Sequence, residues 1–212
     1  MTEHPIASAV DQLPTPDPAH PFGQERARLQ GMDAPQHALP GVMFPDPTLV
    51  DPTGASTSIS QIRADQAAVV VLYRGSWCPF CNIALRVYRD ELSEALSARG
   101  IRLIAVSPQA SDGSLTMQEK HELDFAVLSD TGNQIAKALG VLTHPSDAAR
   151  QAQLNRGLDL EQVNADGTIE LPMPTVAIVG SDGRLAWIDV HPDYTTRTEP
   201  AQVLAALEGL GL

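Results

Sequence analysis

Seven residues, Ala67-Ala68-Val69-Val70-Val71-Leu72-Tyr73, run without a polar side chain into Arg74-Gly75-Ser76-Trp77-Cys78-Pro79-Phe80-Cys81. Three consecutive valines in such a run predict a strand, residues 67–73, buried on both faces. Leu85, Tyr88, Leu92 and Leu96 follow at spacings of three and four. That is the stripe of an amphipathic helix, predicted over residues 79–98 and closed by Arg99-Gly100. A strand covered on both faces and fed directly into a helix confines the chain to an α/β architecture.

This junction places two cysteines on the first turn of a helix. Pro79 fits the first helical position, where its missing N–H would have had no partner. The N–H groups of Phe80 and Cys81 are then expected to face the Cys78 sulfur, at the positive end of the helix dipole. Such a setting lowers a cysteine pKa from about 8.5 to roughly 3.5–7.5. On this reading Cys78 is the nucleophile and Cys81, one turn on, closes a disulfide with it. A zinc knuckle needs four ligands. The chain has two cysteines and six scattered histidines, at 4, 20, 37, 121, 144 and 191. The pair therefore reads as redox-active, with neither metal nor cofactor expected.

The rest of the chain alternates in the same way. Residues 48–51 and 55–57, around Pro52-Thr53-Gly54, read as a hairpin. Ser58 opens a short helix to about residue 64. Strands are predicted at 101–107, 125–128, 175–179 and 185–190, the last two joined by the turn Ser181-Asp182-Gly183-Arg184. Helices are predicted at 114–121, 133–139 and 199–207. Residues 141–170 form a polar insertion with weak helical patterns at 146–154 and 158–163. It is too long for a plain connector. The expected domain, residues 41–212, is a central mixed sheet flanked by helices. Residues 1–40 carry seven prolines and read as an arm, extended or disordered over 1–21, with a short helix over 22–32. Residues 1–20 are expected to add little to the core. The arm is either a solvated tail or a clasp on a second copy in a homodimer.

Trp77-Cys78-Pro79-Phe80-Cys81 after a strand resembles the active site of the thioredoxin superfamily. The fuller run from Tyr73 to Asn82 is similar to the peroxiredoxin-like branch of the alkyl hydroperoxide reductase/thiol-specific antioxidant family, over roughly residues 40–212. The resemblance implies a thioredoxin-like fold with an N-terminal hairpin and an insertion ahead of a strand opened by a cis-proline. Leu171-Pro172-Met173-Pro174-Thr175 matches that proline, which implies a cis Met173–Pro174 bond beside the dithiol and a backbone at Met173 that pairs with an extended substrate. Trp77, Pro79, Met173, Pro174, Thr175 and Arg74 are the implied substrate-binding residues, with Cys78 and Cys81 catalytic. Trp77 would form an apolar platform. Arg74, four residues before Cys78, either lowers the thiol pKa or is a solvated loop arginine.

The family pattern also has Thr or Ser three residues before the peroxidatic cysteine, and a later arginine. Here Gly75 precedes Cys78 by three, and Cys78 itself precedes Cys81 by three. The later arginine position falls at Met173-Pro174. The expected activity is therefore thiol–disulfide exchange with an antioxidant role, with peroxiredoxin-type hydroperoxide reduction as the alternative and a non-catalytic redox sensor as a third reading. The substrate is a disulfide or a hydroperoxide. The reductant is a thioredoxin-like protein or a glutathione-type thiol, since Pro-Phe is similar to the Pro-Tyr of glutaredoxins.

The formal charge of −12 argues against nucleic acid or an anionic membrane as partner. Residues 1–30 have no continuous apolar stretch and do not read as a signal peptide, so the expected location is cytoplasmic.

Overall fold

The computed structural model describes residues 4–33 and 35–212. The arm opens with α1 (Pro5–Val10) and α2 (Pro21–Gln30). A short antiparallel pair follows, β1 (Leu49–Val50) and β2 (Ser56–Thr57), then α3 (Ile59–Arg63) with the Ser58 hydroxyl accepting from the Gln61 N–H. The central strand β3 (Ala68–Leu72) leads to α4 (Pro79–Glu91) and α5 (Ser93–Ala98). Next come β4 (Arg102–Ser107), α6 (Ser111–Lys120), β5 (Ala126–Ser129) and α7 (Gln134–Leu139). The insertion holds β6 (Leu142–Thr143), α8 (Asp147–Asn155), α9 (Leu160–Val163) and β7 (Leu171–Pro172). The chain closes with β8 (Thr175–Val179), β9 (Leu185–Val190) and α10 (Pro200–Leu210).

The main sheet has the order β2-β1-β5-β4-β3-β8-β9. β3, β4 and β5 run parallel; β8 is antiparallel to β3, and β9 to β8. Side chains alternate across β3. Val69 and Val71 enter the core shared with α4 and α10, whereas Ala68, Val70 and Leu72 enter the core shared with α3 and α7. This two-sided burial explains the unbroken apolar run. In the β3–β8 ladder Leu72 faces Thr175. The register thus brings the start of β8 beside the exit of β3, where the cysteine junction begins.

Three expectations need correction. The helix predicted over 79–98 is interrupted at Leu92, though no proline or glycine between 80 and 98 marks the break. The Met173–Pro174 bond is trans; among the described residues there is no cis peptide. Its neighbours make the reason visible. The Met173 N–H bonds to the Val141 carbonyl and the His191 N–H to the Pro174 carbonyl, so the segment is held between β6 and β9 in extended form. Residues 5–10 are helical, not extended, and Ile6 is buried in the α4 core. Six residues do not make a stable helix alone. Here the Glu199 carboxylate accepts the N–H groups of Ile6 at 3.0 Å and Ala7 at 2.8 Å, which supplies the missing N-terminal cap. The expectation for the arm also covered residues 1–3, which lie outside the described residues. The insertion holds helices where its weak patterns lay, α8 and α9. Its ends are clamped by β6–β7 pairing, and α8 packs on α2.

Candidate active site

Gly75 turns the chain out of β3. Its φ is 144°, and a Cβ there would lie 2.5 Å from the Trp77 indole nitrogen, so no side chain fits this turn. Gln109, just past β4, pins the loop by accepting from the Ser76 N–H at 2.7 Å and its hydroxyl at 3.0 Å. The Asn82 amide returns from α4 to the Ser76 carbonyl at 3.0 Å. Cys78 is the N-cap of α4 and Cys81 its third residue. Both are free thiols, and neither is exposed.

Of the two N–H groups expected to face the Cys78 sulfur, that of Cys81 bonds instead to the Cys78 carbonyl, as does that of Asn82, and the Cys78 side chain caps nothing. The cations divide unequally. Arg197, from the loop between β9 and α10, donates from Nη2 to the Cys81 sulfur at 3.1 Å. Its Nη1 is fixed by the carbonyls of Tyr194 at 2.5 Å and Thr196 at 2.6 Å. Arg74 reaches the Cys78 sulfur only at 4.0 Å. Its guanidinium lies between the rings of Trp77, at 4.9 Å, and Tyr194, at 4.3 Å.

These contacts reverse the expected order of acidity. Burial pushes both thiols up. At Cys81 it is outweighed by a hydrogen bond from Cys78, the charges of Arg197 and Arg74, and the Arg74 backbone N–H, so this thiol is held well below the usual range. At Cys78 burial is reinforced by that same hydrogen bond and by the charge on Cys81, and the thiol is pushed well above it. The balance therefore favours ionisation at Cys81, with Cys78 as the hydrogen-bond donor. Arg197, though buried, is held cationic by the two sulfurs.

A void of about 10 Å³ borders Cys81, with Pro174, Thr175, His191 and Arg197 among its walls. A separate cavity of about 540 Å³ borders Cys78 and is lined by Arg74, Trp77 and Pro79. Of the residues expected at the site, Cys78, Cys81, Arg74, Trp77, Pro79, Pro174 and Thr175 therefore gather at the dithiol. Met173 does not. It sits in the core on the other face of the sheet, its N–H taken by Val141 and its carbonyl by the Thr175 hydroxyl at 2.9 Å. No free backbone edge remains there for a substrate strand. Among the described residues no three His, Cys, Asp or Glu side chains converge as metal ligands.

Three participants were missed by sequence reasoning: Arg197, Tyr194 and Gln109. One signal did exist for Arg197. A cation two residues ahead of a helix N-cap opposes the dipole, so an arginine there calls for an anionic partner.

The sheet order, the β3–α4 junction and the paired sulfurs define a thiol-based redox protein of thioredoxin fold. The match to the AhpC/TSA family model over residues 40–188 is specific enough to say that the chain belongs to that family. It is 32% identical over 107 residues to the chloroplastic peroxiredoxin Q of Suaeda salsa, covering 50% of this chain and 48% of that protein. The chain thus spans about half the length of this curated relative. Among solved structures, the peroxidoxin BcpB of Mycobacterium tuberculosis superposes with a TM-score of 0.62 at 18% identity, covering 82% of this chain and 99% of that one. Reduced Prx3 of Vibrio vulnificus, solved in complex with hydrogen peroxide, gives 0.64 at 19% identity over 80% of this chain and 99% of that one.

Proposed function

We propose that the protein is a peroxiredoxin-type hydroperoxide reductase, the alternative raised from sequence, in place of the thiol–disulfide oxidoreductase expected first. The observation that carries this is the 3.1 Å contact between Arg197 and the Cys81 sulfur. The arginine that sequence reasoning found missing from its usual position is supplied by the β9–α10 loop. Membership of the AhpC/TSA family and the peroxiredoxin named above as a relative support the same reading.

The chemistry follows from the two sulfurs. The Cys81 thiolate attacks the distal oxygen of the hydroperoxide. The O–O bond breaks, Cys81 becomes a sulfenic acid, and the departing hydroxide or alkoxide takes a proton from solvent to leave as water or alcohol. Arg197 lies where negative charge passes from sulfur to the leaving oxygen, and needs no reorganisation to stabilise it. The Cys78 sulfur then displaces hydroxide from the sulfenic acid. Its own proton completes the water released, and the Cys78–Cys81 disulfide forms. A cellular thiol restores the pair. The void at Cys81 is about the size needed for one water, which favours hydrogen peroxide over bulky alkyl hydroperoxides.

Single-turnover mixing of reduced protein with hydrogen peroxide, with an organic hydroperoxide and with a protein disulfide tests this directly. Hydrogen peroxide should react fastest by orders of magnitude, and the product should be the intramolecular disulfide. Preferential reaction with the protein disulfide would return the protein to the thiol–disulfide exchange class.

A further inference from the structure

The two sulfurs border spaces of very different size. Cys81 faces the void of about 10 Å³. Cys78 forms part of the wall of the 540 Å³ cavity, and Cys81 does not. A space of that volume lies within the range of small-molecule sites, about 300–1,000 Å³. The arm and the insertion roof it: Leu13 and Phe22 on one side, Leu158 on the other. Cys78 itself is buried in the cavity wall. A protein reductant therefore meets the arm and the insertion before it meets Cys78, whereas a small molecule fits inside.

The charge of the cavity selects further. Three guanidiniums line it, those of Arg26, Arg74 and Arg156, against the carboxylates of Asp11 and Glu25. Glu25 is already spent on Arg28 at 2.8 Å, and Arg26 stands 4.0 Å from Asp193. Arg156 is solvent-exposed and lies over the Phe22 ring at 4.8 Å, with no carboxylate partner among its described contacts. In a chain of formal charge −12 this is a local site for an anion.

We infer that this cavity receives a small carboxylate-bearing thiol, which reduces the Cys78–Cys81 disulfide by attacking Cys78. The inference rests on the peroxidase reading for the origin of that disulfide. Leaving-group chemistry points to the same sulfur. In thiol–disulfide exchange the sulfur of lower thiol pKa departs more readily, and Cys81, beside Arg197, is that sulfur. The incoming thiolate bonds to Cys78 while the Cys78–Cys81 bond breaks and Cys81 leaves as a thiolate. A second thiolate attacks the sulfur of the bound small thiol. It releases a small-molecule disulfide and the Cys78 thiolate, which takes up a proton. Two thiols are oxidised for each protein disulfide reduced, and one proton goes to solvent.

The disulfide form is prepared with diamide, so that its reduction is measured whether or not peroxide makes it. Three probes are compared per thiolate: N-acetylcysteine, its neutral amide, and thioredoxin. N-acetylcysteine should react about three- to tenfold faster than the amide, the difference expected for one partly solvated ion contact. Rapid alkylation and peptide mapping should find the mixed disulfide on Cys78. Arg156→Gln should lower the N-acetylcysteine rate by a similar factor and leave the rate of the amide within about twofold. An adduct on Cys81, equal rates for the acid and the amide, or reduction by thioredoxin alone would overturn the inference. Failure of peroxide to form the disulfide in the first place would instead overturn the peroxidase reading.

Discussion

Arg197 donates to the Cys81 sulfur at 3.1 Å across a sequence separation of 116 residues. The contact favours ionisation at Cys81. On the proposed peroxidase reading the nucleophile is then the third residue of α4, whereas local sequence rules put it at the helix N-cap.

Replacing Arg197 by Met should therefore change a titration before it changes a fold. Cys81 is held low chiefly by its bond from Cys78 and the charge of Arg197, against burial. Its thiolate persists above its pKa and is lost as pH falls through it. Removing the guanidinium raises that pKa, so the loss should move to higher pH in ultraviolet thiolate titrations. The rate with hydrogen peroxide at neutral pH should fall roughly a hundredfold, the usual effect of removing one charge-stabilising donor. An unshifted titration would refute the role given to Arg197.

The two cysteine substitutions should separate. Cys81→Ser should abolish reaction with peroxide. Cys78→Ser should still react once, and dimedone should trap a sulfenic acid on Cys81 that has no resolving partner. Mass spectrometry of both variants after one equivalent of peroxide checks the assignment, and dimedone labelling of Cys78 in Cys81→Ser would reverse it.

Ile6→Ala tests whether the arm belongs to the core. Ile6 is 1% exposed against α4 and neighbouring core residues. Truncating a buried isoleucine to alanine costs about 2–5 kcal/mol, or roughly 5–15 °C in Tm for a chain of this size. A shift within about 2 °C would mean that α1 is only loosely attached.

Gly75→Ala should disorder the site without touching a reactive group. Its Cβ would meet the Trp77 indole nitrogen at 2.5 Å on a backbone with φ of 144°. Displaced Trp77 should alter the tryptophan fluorescence, and misplacement of the dithiol should slow the peroxide reaction about tenfold or more. Wild-type fluorescence together with a wild-type rate would show that the turn tolerates a side chain.

What could be read from the sequence followed the range of each interaction. β8 and β9 occupy the predicted residues because their alternation and the Asp182-Gly183 turn are local signals. The dithiol was legible for the same reason: strand, cysteines and helix are contiguous. α1 was not, because its cap is Glu199, 192 or more residues away. Nor was the acidity of Cys81, which depends on a residue beyond β9. The cis bond expected at Pro174 came from resemblance alone, and the hydrogen bonds of Met173 and His191 hold that segment trans.

The position of Arg197 late in the chain has a consequence during synthesis. A ribosome releases Arg74 and the Cys78–Cys81 pair long before residue 197 is made, and until then Cys81 lacks the guanidinium that donates to it. Without Arg197, Cys81 loses one of the charges that favour its thiolate. A reactive Cys81 thiolate therefore reports that the polypeptide has closed from β3 through to the loop ahead of α10.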